Sequence, residues 1–334
     1  MRYDPINLTL VPPPASVQVL DFDTAYANWQ ADFASAAAAW NITYNVATLR
    51  SDPMGWLMSV AAYRGDIYKR GEINDAIKAV LVPTALGGDL DNVTADLNVV
   101  RRVLVPANPN AVPPTAAVME TDTSLRNRRL LAPEALSCAG PLGAYRFFAL
   151  QASPDVLDAR AYGPETTLVT PGQVMVVIQS ATGPQGVPPG TTLQAVASFL
   201  TAQSCPDLPG YVVPTPAAMD ANVLTPDTDY VIVRAVQPTP YSIAGVLTVP
   251  PGPSAASVVA ASQAAIAAYC AAQGKIGGTI NLSSLIAAGR LLAPDGTSPA
   301  LDFQLTSPTA TIAPGPLGLP LLTGITLTSV VSNG

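Results

Sequence analysis

The carboxylates at Asp66, Glu72 and Asp75, and those at Asp89 and Asp91, are the groups in this chain with the chemistry of an acid/base pair. Glycoside hydrolysis needs only two carboxyl groups at the correct separation. These acids fall on stretches that read as helix faces or helix starts, where acids ordinarily solvate or cap. Histidine is absent altogether. That removes the commonest general base, the usual partner of a nucleophilic Ser or Cys, and the commonest transition-metal ligand. Cys138, Cys205 and Cys270 lie far apart with no C-x-x-C spacing, which fits a reducing compartment better than a disulfide framework. There is no G-x-S-x-G elbow, and the run at 274–279 lacks the spacing of a phosphate-binding loop and reads as a helix end and turn. The proline-rich run at 183–190 reads as a loop between a strand and a helix. Arg101-Arg102 and the trio Arg126, Arg128, Arg129 read as exposed helix charges. The chain is therefore expected to hold no catalytic residue, no metal ligand and no cofactor.

Composition points the same way. A length of 334 residues is too great for one ordinary core and suits two or three modules of roughly 100–150 residues. The net charge of -7 removes the electrostatic footprint of a nucleic-acid binder. Hydrophobic residues make up 49% of the chain. The most apolar stretch, 254–273, is built on alanine and broken by Ser257, Ser262 and Gln263, so no membrane role is expected. The opening residues Met1-Arg2-Tyr3-Asp4-Pro5 lack the pattern of an export signal. Beyond Arg160 the basic residues are Arg234, Lys275 and Arg290. So little charge fits either a surface covered by other subunits or a large internal core.

The elements that position these residues change character along the chain. After the prolines at 12–14, with Asp21 or Asp23 as a cap, Phe22, Tyr26, Trp29, Phe33, Ala36 and Trp40 step by four and three along one helical face. A second helix over about 53–81 places Trp56, Val60, Tyr63, Ile67, Ile77 and Leu81 on one seam, with Arg70 and Asn74 as polar steps; Asn74 is expected to face water. A third uses Leu90, Val93, Leu97, Val100 and Leu104. Such seams close either on one another as an antiparallel bundle or on helices of other chains, and the spacing fits both. Prolines across 105–115 read as a linker or extended crossing. Short helices follow at about 121–131 and 141–152. The pattern then turns to strands, at 174–178, 229–236, 243–249, 301–305 and 325–331, with helices at 191–203, up to 273, and at 283–291. The fold class expected is multidomain α+β. A helical arm at 1–118 contributes to a helical bundle, a helical connector follows at 119–153, and two small α/β modules occupy 154–238 and 239–334.

One family fits these residues. Asp52-Pro53, Val60-Ala61-Ala62-Tyr63-Arg64, Ile73-Asn74-Asp75-Ala76 and Leu86-Gly87-Gly88-Asp89-Leu90-Asp91 resemble the N-terminal helical region of phage baseplate J-like proteins. Glu120-Thr121-Asp122, Arg128-Arg129-Leu130-Leu131-Ala132-Pro133-Glu134-Ala135-Leu136 and Ala139-Gly140-Pro141-Leu142-Gly143-Ala144-Tyr145-Arg146 resemble the family's most recognisable stretch. Pro240-Tyr241 before a strand, then Pro250-Pro251-Gly252-Pro253 before an Ala-rich helix, resemble its C-terminal domain. The resemblance implies a structural wedge subunit of a contractile tail baseplate, located in the virion and assembled in the host cytoplasm. Its partners would be other wedge subunits in a heteromeric helical core bundle, together with copies of itself through the C-terminal region in a ring around the tail hub. The helical seams (Phe22, Tyr26, Trp29, Phe33, Trp56, Val60, Tyr63, Ile67, Ile77, Leu81, Leu90, Val93, Leu97, Val100) would be the interacting residues. A tail-associated hydrolase using paired carboxylates, or a fibre or adhesin, are the alternatives. Aromatics at 6% and the lack of a clear pair count against the first, and the heptad-patterned helices against the second.

Overall fold

The computed structural model describes residues 8–43, 45, 52–137, 140–214, 226, 228–251, 255–292 and 296–332. The fold is α+β and falls into two compact units, one drawn from Asp4–Arg102 and Met119–Leu130, the other from Val103–Val118 and Leu131–Gly334.

The first unit is helical. α1 (Phe22–Ala39) starts where the Asp21 carboxylate accepts from the backbone N–H of Asp23 and Thr24, and α2 (Pro53–Ala62) starts on Asp52 in the same way, with proline at its first position. A single π turn, Tyr63–Tyr68, separates α2 from α3 (Lys69–Ala79) without breaking the rod. That turn alters which residues face α1. The buried positions run Gly55, Met58, Ala62 and then, one residue out of α-helical step, to Ile67, which packs on Ala25, Tyr26, Met58 and Ala62 with Phe33. The seam of large residues read at regular spacing is therefore not the inner face of α2.

α4 (Gly87–Ala95) and α5 (Asp122–Leu131) complete the unit. The helix expected from Leu90 to Leu104 stops at Ala95. Asn98 adopts a left-handed conformation (φ 57°), and Val99 N–H bonds back to Thr94 O, which reverses the chain before Val100. Leu104 lies instead in β1 (Val103–Val105), which pairs with β2 (Val118–Met119) in an exposed ribbon that includes the proline-rich loop.

In the second unit α6 (Leu142–Ala152) packs on β3 (Val156–Tyr162). β4 (Gln173–Ser180) lies between β3, antiparallel, and β5 (Tyr230–Ala235), parallel. Every residue of β4 after Gln173 is buried, as expected of a central strand covered on both faces. α7 (Gly190–Phe199) packs on β5.

The last sheet has the order β7-β6-β8, with β6 (Gln237–Val249) antiparallel to β7 (Asp302–Ser307) and parallel to β8 (Gly318–Val331). α8 (Ala255–Gln273) and α9 (Leu282–Gly289) cover one face of it. Its core joins Ile243, Leu247, Ile266, Leu285 and Phe303. A further cluster, Tyr162, Met175, Val177, Val236, Ile276 and Leu319, connects this sheet with the middle one.

Candidate functional site

Four of the five carboxylates that could have formed an acid/base pair are each held by a separate base. Asp66 pairs with Arg70, Glu72 with Lys69 at 2.9 Å, Asp75 with Lys78 at 3.8 Å, and Asp91 with Arg101 at 2.7 Å. Asp89 is exposed in the first turn of α4. Among the described residues no three His, Cys, Asp or Glu side chains gather to hold a metal. Cys205 and Cys270 are buried and in no disulfide, with burial pushing the Cys205 thiol up to about 11; Cys138 lies outside the described residues. The run at 274–279 is a turn after α8 in which Gly277 takes φ 67° and its N–H donates to Gly318 O.

The arginines, expected on the helix surface, turn inward instead. The Arg128–Glu120 pair is 2.6 Å apart with its side chains 3% and 2% exposed. Arg128 also donates to Val100 O, and Glu120 accepts from Ser124 Oγ and Arg102 N–H. Burial works to raise the Glu120 pKa, but the bonds from Arg128 and Ser124 outweigh it and hold the carboxyl below its ordinary range. Burial together with nearby Arg128 lowers Arg102 to about 10. Arg101 reaches Asp91, Asp122, Glu120 O and Gly87 O, while Arg126 donates to Val82 O and Ala85 O. Asp122 in turn accepts from Gly87 N–H at 3.1 Å, supplying the α4 cap that Leu86 cannot. These residues bind the helical unit together. Asp155 does comparable work in the second unit, accepting from Ser180, Thr182 and Thr192 hydroxyls between 2.6 and 2.9 Å.

Asn74, expected to face water, is 4% exposed. Its amide donates to Gln18 O at 2.9 Å and its oxygen accepts from Gln18 N–H at 3.0 Å. It thereby fastens the segment before α1 onto α3. The partner stands 56 positions away, so no local pattern announces it.

The seam residues divide into two sets. Tyr26, Phe33 and Ile67 meet in the small core between α1 and α2. Phe22 stacks on Tyr26 at 5.9 Å, and Trp29 lies against Gly65 of the π turn, yet both rings remain about 40% exposed. Ile77, Leu81, Val93 and Leu97 are half-buried and Leu90 is fully buried. Trp56, Val60 and Tyr63 point outward at 72%, 52% and 54% exposure, joined by Leu57 and Met54, and Val100 is 68% exposed beyond α4. Of the 18 residues of α1, Ala25 and Tyr26 are the buried ones. The inside of this hairpin is a small core of Ala25, Tyr26, Met58 and Ala62 with Phe33 and Ile67 against it, while Trp56, Val60 and Tyr63 stay outside. A helix pair finished within its own chain does not gather such large apolar side chains on its outer face.

Residues 50–108 match the Baseplate J-like N-terminal domain, and residues 241–328 match the Baseplate J-like protein C-terminal domain. Over 285 residues the chain is 31% identical to baseplate protein J of Escherichia phage P2, an alignment covering 85% of this chain and 86% of that one. The first match contains the exposed face of α2; the second contains most of the β7-β6-β8 sheet.

Proposed function

This chain belongs to the baseplate J-like family and is a structural subunit of a phage tail baseplate, and we propose that its helical unit joins a bundle with helices of other wedge subunits through the outer face of α2. The observation that carries this reading is the exposure of Trp56, Val60 and Tyr63 on a helix whose inner face is already occupied. Large apolar side chains gathered in this way mark a surface that another protein covers. The C-terminal sheet, poor in charge, serves self-association between wedges in a ring around the tail hub. The protein acts in the virion tail after assembly in the host cytoplasm, and it is not an enzyme.

Electron cryo-microscopy of the particle tests the placement. Trp56, Val60 and Tyr63 should lie under helices of neighbouring subunits, and a bare α2 face in the assembled baseplate would refute it. Incubation with cell-wall glycans should give no turnover. Turnover that disappears when one carboxylate becomes its amide would overturn the structural assignment.

A further inference from the structure

β8 is an edge strand 14 residues long. Ser332 N–H donates to Val249 O, so by strand alternation the even-numbered residues from Gly324 upward turn their backbone groups toward β6, and the register shift between Leu322 and Gly324 reverses that parity below. Ile325, Leu327, Ser329 and Val331 then turn theirs outward. Lower down, the outward Gly318 O is taken by Gly277 N–H at 2.7 Å. Above that point no backbone group among the described residues bonds to this edge. Natural edges are blunted by lysine, proline or an inward charge. Residues 321–331 carry none of these, and no charged residue follows Asp302 in the sequence.

α8 packs on β8, with α9 at its side. Ser262, which bonds Gly289 O, marks the α9 side of α8. The exposed residues on the opposite flank include Ala256, Ala260, Ala267 and Ala271, and the whole helix is free of charge. Edge and flank thus form one continuous uncharged surface.

We infer that this surface receives a second copy of the chain, with β8 paired antiparallel to its symmetry mate and the two α8 helices side by side above the joined strands. This rests on the self-association proposed for the C-terminal region and names its surface. A two-fold axis lets identical edges satisfy each other's outward N–H and C=O groups, which a single chain cannot do for itself. Paired strands lie about 4.8 Å apart, so helices above them must approach at the close end of the ~8–10 Å range. Alanine permits that distance and larger side chains do not. Without charge on either element, the axis brings no like charges together. An edge about 36 Å long beside a helix about 28 Å long buries on the order of 600 Å² per copy, the lower limit for a specific interface.

The test is light-scattering mass measurement of the full chain at tens of micromolar. Wild type should be a dimer. Ser329→Pro removes an outward N–H where an edge strand tolerates proline, and Ala267→Glu puts charge on the helix flank. Each should weaken the dimer about tenfold or more with unchanged circular dichroism. A dimer indifferent to both would overturn this surface while leaving C-terminal self-association standing. A chain that stays monomeric, or that binds phosphatidylcholine–phosphatidylglycerol vesicles in place of dimerising, would overturn both.

Discussion

The helical unit and the sheet-bearing unit place their apolar residues in opposite ways. β4 buries Val174, Met175, Val176, Val177 and Ile178 together, and the last sheet closes over Ile243, Leu247, Ile266 and Phe303. The hairpin of α1 and α2 holds Gly55, Met58 and Ala62 inside and leaves Trp56, Val60 and Tyr63 outside. What the helical unit lacks in core it makes up in buried polar bonds, from Glu120–Arg128 beside α5 to Asn74 and Gln18. One region closes its core within the chain, and the other is held in shape by fixed polar partners while large apolar side chains stay exposed on α2.

The comparison breaks most sharply at Glu120. Glu120→Ala leaves the Arg128 guanidinium buried without its carboxylate, which should cost about 4 kcal/mol. Hydrogen exchange should show α4 and α5 opening while β4 stays protected. Leu247→Ala is the converse, with an expected loss of about 3 kcal/mol from a fully buried site. Here protection should fall in β6 and persist in α2 and α4. If either variant loosens both regions equally, the contrast in what holds them is wrong.

Smaller effects sharpen it. Asn74→Ala removes both bonds to Gln18 and should lower stability by about 1–2 kcal/mol, read as a lower melting temperature of the helical unit. Acid should act on the same unit. The Glu120 carboxyl is held below its ordinary value of 4.5, so its contribution is complete above that pH and is lost as the pH falls through the folded value. Asp122, lowered chiefly by the bond from Gly87 N–H, adds to the loss in the same direction. Melting curves followed by helical signal should therefore hold level above pH 4.5 and fall as the pH drops below it, and a flat profile would count against the role of these carboxylates.

Much of the fold was legible because it is set locally. Asp21 or Asp23 announces the first helix start, the β-branched run at 174–178 announces a strand, and the glycines at 274–278 announce the turn after α8. What was hidden depends on partners far along the chain or on a change of helical step. The seam from Trp56 to Leu81 assumes regular turns, and the π turn at Tyr63–Tyr68 brings Ile67 inside while leaving Val60 and Tyr63 out. Leu90 and Val100 share a spacing, but Asn98 reverses the chain between them. Charge alone could not reveal that Arg128 is buried, since its partners Glu120 and Val100 O are brought to it by the fold. The exposed α2 face was found by residue type, but its outward direction was not.

Val60→Asp carries the smallest expected stability effect and tests the central claim most directly. Val60 is half exposed, so the substitution should change the stability of the isolated chain by no more than about 0.5 kcal/mol. Placed in an apolar interface it leaves an unpaired carboxylate, which costs several kcal/mol. Co-purification with the other baseplate wedge subunits, measured beside the melting curve of the free protein, separates the two. The account predicts an unchanged melting curve and lost co-assembly. Wild-type recovery of the subunits by Val60→Asp, or a collapse of the free protein's own helices, would contradict it.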